Sequence, residues 1–197
     1  MIVKDVVELA AVYLQLEDVL ATTNFTGTLN ANTNPSVTVD ALTTRNINLL
    51  IRCTSLVLGE IASDIMPLKT SESLSSSSGK ILLSGLTAKV YKIISVKKDG
   101  SKISFKVYPT YIQIYCDDGT FEIEYNYLPS AKTTLTDNID EVGNFVDLRT
   151  IAYGVASEYA YISGLFEEAK MWEEKFKNAL DTKTKLKNYY LKARRWF

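Results

Sequence analysis

Residue types that commonly carry chemistry are sparse in this 197-residue chain. It has no histidine, which removes the commonest general base and the commonest metal ligand. Histidine-based hydrolase triads and helical HExxH zinc sites are thereby excluded. The two cysteines, Cys53 and Cys116, fall in a helical and a strand pattern. Two distant thiols cannot form a tetrathiolate site; they read as free, buried thiols of a reducing cytosol, with a disulfide between them the rarer alternative. Four acid pairs remain, Asp117-Asp118, Asp140-Glu141, Glu167-Glu168 and Glu173-Glu174. The first sits in a turn signal, where aspartate is favoured by backbone geometry, and the last two lie on the solvated face of an amphipathic helix. No glycine-rich phosphate loop is present. The expectation is a protein that is not an enzyme and has no metal site and no cofactor.

Cations and aromatic rings are more informative. Lys89, Lys92, Lys97, Lys98, Lys102 and Lys106 lie among Tyr91, Tyr108, Tyr111 and Tyr115. Such a set resembles a stacking platform for single strands, although tyrosine is also a good strand former and lysine a common edge protector. The second concentration is at the C-terminal end, where Lys183, Lys185, Lys187, Lys192, Arg194 and Arg195 are interleaved with Tyr189, Tyr190, Trp196 and Phe197 and opposed only by Asp181. Arginine and large aromatics dominate binding energy in interface pockets. Lys187, Tyr189, Tyr190, Lys192, Arg194, Arg195, Trp196 and Phe197 therefore read as a docking tail; the alternative is a tail folded back on its own domain.

The elements that must hold these residues follow from periodicity. Length permits one sizeable core, and the net charge of −1 (22 basic against 23 acidic residues) argues against a surface that grips duplex DNA all over. No apolar run is long enough to span a membrane, and Met1-Ile-Val-Lys-Asp does not begin a signal peptide. Residues 3–20 show a first helical pattern, with Asp5 near its start as a cap or dipole partner. Ala21 to Pro35, rich in Asn and Thr, reads as a long loop. Asp40 is placed as the N-cap of a second helix reaching about Asp64, stopped by Pro67. Thr70 to Gly79 is serine-rich and reads as a linker. Short β-branched and aromatic runs follow at 80–84, 88–96, 102–108, 111–116 and 120–127, with Asp99-Gly100 and Asp118-Gly119 as hairpin signals. Thr133 to Gly143 is a polar crossing back to helix. From Asn144 a helical arm runs to the end, with apolar residues from Leu148 to Ile162 at helical spacing, an interruption at Gly164, and a second run from Leu165 to Leu180. The fold class expected is α+β: a helical bundle (1–78 and 130–182) with a long C-terminal helical arm, an inserted small antiparallel β-subdomain (79–129), and a basic, aromatic tail (183–197).

The stretch Ile151 to Leu180 resembles the corresponding helices of head-to-tail connector (adaptor) proteins of tailed bacteriophages. Ala152-Tyr153-Gly154-Val155-Ala156 stands in one helix; after a short break, Glu167-Glu168-Ala169 and Trp172 stand in the next. About thirty residues carry the likeness, and the rest agrees in layout. The resemblance implies a virion protein of the neck, made in the host bacterial cytoplasm: a homo-oligomeric ring, commonly of twelve copies, seated beneath the portal. It implies as partners the portal protein, a tail terminator or stopper protein and the passing double-stranded DNA, with no membrane. It also implies that the tail, Lys183 to Phe197, reaches into the portal. The alternative from the residues themselves is a nucleic-acid-binding module using the basic tail and the tyrosine-rich sheet.

Overall fold

The computed structural model describes residues 1–23 and 40–188, with side chains through Thr182 in the last helix. The chain divides into two compact units: Met1–Leu58 together with the chain from Ala131 onward, and Gly59–Ser130. The first is helical and the second is a pair of antiparallel sheets, so the α+β class holds among the described residues.

In the helical unit, α1 (Val3–Tyr13) begins where the Asp5 carboxylate accepts the Ile2 amide at 3.0 Å. Two more of its orphan amides are satisfied by the 133–143 crossing, Val3 donating to the Asp137 carbonyl at 3.0 Å and Lys4 to that of Leu135 at 2.8 Å. The single helix expected over residues 3–20 is broken. Gln15 adopts a left-handed backbone (φ 56°) and the chain restarts as α2 (Glu17–Thr23). That second helix also takes in Ala21 to Thr23, the first residues of the expected loop; residues 24–35 of that loop lie outside the described residues.

Helix α3 (Ala41–Glu60) starts directly after Asp40 and passes into a π-helical turn, Ile61–Ile65, closed by Met66 donating to the Ile61 carbonyl at 2.7 Å just before Pro67. A short helix α4 (Asp140–Gly143) leads to α5 (Leu148–Ile162), whose first turn is capped by Asp147 accepting the Thr150 amide at 3.0 Å. Helix α6 (Phe166–Asn188) packs antiparallel on α5, and α1 packs on α5. The core of this unit is almost wholly apolar: Val6, Leu50, Val57, Ile151, Val155, Trp172 and Phe176 are all buried. Gly154 marks the tightest approach. A methyl group there would stand 2.9 Å from Val57 and 3.0 Å from Phe176, so three helices meet at a residue without a side chain.

The sheet unit holds β1 (Leu68–Ser75), β2 (Lys80–Leu82), β3 (Val90–Lys98), β4 (Ser101–Lys102), β5 (Phe105–Val107), β6 (Tyr111–Ile114) and β7 (Thr120–Tyr127). They form a four-stranded sheet, β1-β7-β3-β4, and a three-stranded sheet, β2-β6-β5. One apolar cluster joins them, with Ile81, Ile112 and Ile114 from the small sheet and Ile93, Val96, Phe121, Ile123 and Tyr125 from the large one.

Three expectations are corrected here. The serine-rich run read as a linker is mostly strand: β1 pairs with β7 over its whole length, from Leu68 opposite Tyr127 to Ser75 opposite Thr120. Only its end is a turn, where Ser78 and Gly79 both take positive φ (54° and 69°) and close a tight hairpin between Ser77 and Lys80. Asp99-Gly100 does turn β3 into β4, with φ values of 50° and 78°. Asp118-Gly119 does not make a hairpin, because β6 and β7 on either side of it belong to different sheets. The alternating run 102–108 is likewise split, Ser101–Lys102 pairing with β3 in one sheet and Phe105–Val107 with β6 in the other.

Candidate functional site

One member of each acid pair is engaged by its surroundings. Asp118 accepts hydrogen bonds from the Ser76 hydroxyl at 2.6 Å and from the amides of Ser78 and Gly79 at 2.8 Å each, which lowers its pKa. It clamps the Ser78-Gly79 turn. Asp140 accepts from the Met1 amino group at 2.6 Å and from the Asn138 amide at 2.8 Å. Glu173 accepts from Lys177 and, at 2.8 Å, from the Tyr161 hydroxyl, both of which depress its pKa. Glu167 is bridged by Lys170 at 3.7 Å. Among the described residues no group of three or more His, Cys, Asp or Glu side chains could hold a metal ion. Both cysteines are free. Cys53 is buried, and burial pushes its thiol up to about 12, far from a reactive thiolate; Cys116 is exposed, not buried as expected.

The cation and tyrosine set of the sheets is drawn together in part. On the outer face of the small sheet Tyr108 and Tyr111 stack at 4.8 Å between ring centroids. Lys80 lies over the Tyr111 ring at 5.0 Å and Lys106 over the Tyr108 ring at 5.3 Å. Gln113 stands between these lysines in the register, paired with Lys80 on one side and Lys106 on the other. Lys80, read from the sequence as the first residue of the 80–84 strand run, joins the set as the residue paired with Ser77 across the Ser78-Gly79 turn. Tyr91 and Lys92 lie on the large sheet instead, in β3. Lys97 is committed to Glu122 at 3.7 Å, and Lys98 donates to the Asp117 carbonyl at 2.8 Å.

A second aromatic group was not legible in the sequence. Tyr13 of α1, Tyr153 of α5 and Trp172 of α6 stack on one another with centroids 4.9–5.7 Å apart. Lys175 covers the Trp172 ring at 4.1 Å and Arg149 lies over Tyr153 at 5.7 Å. Its members come from three helices, so no local spacing announces it. Burial raises the Tyr13 pKa, partly opposed by Arg149. The group is a seam between helices with a cationic rim.

Exposed large apolar side chains are spread over the described residues, Val12, Leu42, Leu56, Leu82, Val107, Tyr115, Phe145 and Met171 among them, and two further groups are tied to a particular backbone feature. The first is the turn between α5 and α6. Leu165 donates to the Ala160 carbonyl at 2.8 Å and Gly164 to that of Tyr161 at 3.1 Å, with Gly164 at φ 79°; this is a Schellman closure, for which a left-handed glycine is the usual solution. Tyr161, Ile162, Leu165 and Phe166 surround it, all exposed, Phe166 by 61%. The Ser157 hydroxyl, donating to the Ala169 carbonyl at 3.0 Å, and the Tyr161–Glu173 bond fasten α5 to α6 below this tip. The second place is β3. Its pairing with β7 shifts register between Val90 and Lys92 and again between Ile93 and Ser95. Each shift inserts one residue, Tyr91 and Ile94, and these are 50% and 37% exposed.

Of the tail residues singled out in the sequence, Tyr189, Tyr190, Lys192, Arg194, Arg195, Trp196 and Phe197 lie outside the described residues, and Lys187 is described only as backbone of α6. No helix among the described residues is long and apolar enough to cross a membrane. No family model matches the chain, and no curated protein matches it.

Proposed function

We propose that this chain is a structural assembly protein, a head-to-tail adaptor subunit that joins a portal to tail or stopper proteins as a ring around passing double-stranded DNA. The observation that carries the reading is the α5–α6 hairpin. The stretch that resembles phage connectors, Ile151 to Leu180, is a rigid antiparallel pair whose tip displays four apolar side chains to solvent. A large exposed apolar patch on a pinned scaffold marks an interaction surface. On this reading the helical unit is the bundle of a ring subunit, α6 is the arm that carries the basic, aromatic terminus towards the portal, and the working place is the virion neck.

Purified full-length chain, alone and mixed with portal, tests it by negative-stain imaging. Rings of the chain, and docking to portal that is lost when residues Tyr190 to Phe197 are deleted from an otherwise folded protein, are the expected results. A chain that stays monomeric and ignores portal, or a deletion that unfolds it, overturns the reading.

A second reading, a nucleic-acid module, is favoured by the Lys80–Tyr111–Tyr108–Lys106 group. The tyrosine rings there are occupied by each other and by lysines, which leaves less ring surface for a base to stack on. Affinity of the monomer for single-stranded DNA that falls steeply with salt would favour this second reading over the first.

A further inference from the structure

The apolar groups at the α5–α6 tip and at the β3 bulges, two among several exposed on the described residues, differ in the charge beside them. At the α5–α6 tip the apolar side chains are rimmed by Glu167 and Glu168 at the start of α6, with Lys170 engaged to Glu167 at 3.7 Å. At β3, Tyr91 and Ile94 are flanked by Lys89 and Lys92, both exposed. The bulges lie in the pairing of β3 with β7; on its other edge β3 pairs with β4 at Lys97 and Lys98 and accepts the Ile103 amide at Val96 (3.0 Å), and no strand is paired beyond that among the described residues. Bulges normally spoil an edge for strand pairing. Here each residue inserted against β7 is large, apolar and exposed, which suits this strand to side-chain docking rather than to added backbone pairing. Each patch is exposed, and the acids outnumber Lys170 at the tip while lysines flank the β3 patch.

We infer that the acid-rimmed tip of α5–α6 on one copy docks on the lysine-flanked, bulged strand β3 of a second copy. This rests on the ring reading above and deepens it by naming the two surfaces. Two different patches meeting head to tail form a heterologous contact, the kind that closes into a ring when the rotation permits. Tyr161, Ile162, Leu165 and Phe166 against Tyr91 and Ile94 form its apolar centre. The carboxylates and ammonium groups form its rim, fixing orientation and excluding like surfaces.

The test is a charge exchange in the full chain, with the mass of the assembly followed by light scattering over a range of concentrations. Glu167→Lys with Glu168→Lys, and separately Lys89→Glu with Lys92→Glu, each weaken assembly by about tenfold or more, because like charges then face each other. All four substitutions together restore it. Phe166→Ser weakens assembly without any change of charge. Reversals that leave assembly unaltered, or a fourfold variant that does not recover, overturn the assignment of surfaces while leaving the ring itself standing. The assignment also falls if deletion of residues 189–197 abolishes assembly and the Lys89 and Lys92 substitutions have no effect, since a neighbour's basic tail then occupies the tip. A wild-type chain that is monomeric at every concentration removes the ring reading and this inference together.

Discussion

In the helical unit most buried positions are aliphatic and aromatic side chains delivered by helices at spacings of three and four; polar groups cap helix ends, with Ser157 and Ser55 adding bonds from mid-helix. In the sheet unit a single apolar cluster is supplemented by carboxylates that grip the chain from the side: Asp118 on the Ser78-Gly79 turn, and Glu72 on Thr87 and Tyr125. A helix satisfies its own backbone, so its packing is free to be apolar. A small two-sheet unit with short strands and many turns has backbone amides left over, and side-chain carboxylates take them up. Tyr125 shows the combination: its ring is fully buried in the cluster while its hydroxyl donates to Glu72.

Four perturbations separate these two modes of stabilisation. The largest effect is expected from Trp172→Ala, which removes a buried ring from the seam with Tyr13 and Tyr153; about 3–5 kcal/mol is lost in denaturant unfolding of the helical unit. Gly154→Ala comes next. The added methyl forces Val57 and Phe176 aside, a penalty of about 1–3 kcal/mol set against roughly 1 kcal/mol gained in helix propensity, so the net effect is a modest loss in thermal or denaturant midpoint.

Tyr125→Phe keeps the ring and deletes the hydroxyl, costing the sheet unit about 1–2 kcal/mol. Its signature is in the pH dependence. Burial, with help from Glu72, holds the Tyr125 hydroxyl up at about 12, above its ordinary 10. The neutral form is the one the fold prefers, so this contribution is complete below pH 10 and drains away as pH rises from 10 to 12. The substitution should abolish that alkaline slope.

The smallest effect is acidic and belongs to the helical unit. Asp137 accepts from the Thr134 hydroxyl and from the amides of Thr133 and Thr134, which hold its carboxyl at about 2 instead of 3.8. Its contribution is therefore intact above pH 4 and is lost as pH falls from 4 to 2. Asp137→Asn should flatten the stability profile in that window and leave the alkaline limb unchanged.

The two units also differ in how openly the sequence declared them. Helices α5 and α6 were readable because one face is apolar at helical period and a glycine stands where the chain must reverse. Strand β1 was not. Its faces carry Lys69, Ser71, Ser73 and Ser75 on one side and Leu68, Thr70, Glu72 and Leu74 on the other, so the period-two contrast in hydrophobicity rests on two leucines at its ends. It is a strand because β7 offers it a full-length partner, a non-local cause that composition cannot express. Gln15 hides the break between α1 and α2 for a related reason, since neither glycine nor proline marks it. Among candidate sites, the lysines and tyrosines of the sheets were visible as a class, but their pairing was not. Lys80 stood in the 80–84 strand run, apart from the other lysines in sequence, and the two bulges that expose Tyr91 and Ile94 left no trace in the residue types.

The Ser55 hydroxyl accepts the Lys132 amide at 2.8 Å and lies 3.3 Å from the Lys132 carbonyl. These residues flank the places where the chain departs from the helical unit and returns to it. A detour of more than seventy residues thus begins and ends at a single stitched point, the arrangement that tolerates grafting best. The sheet unit occupies the position of an inserted cassette whose two ends are held together by the stitch at Ser55 and Lys132.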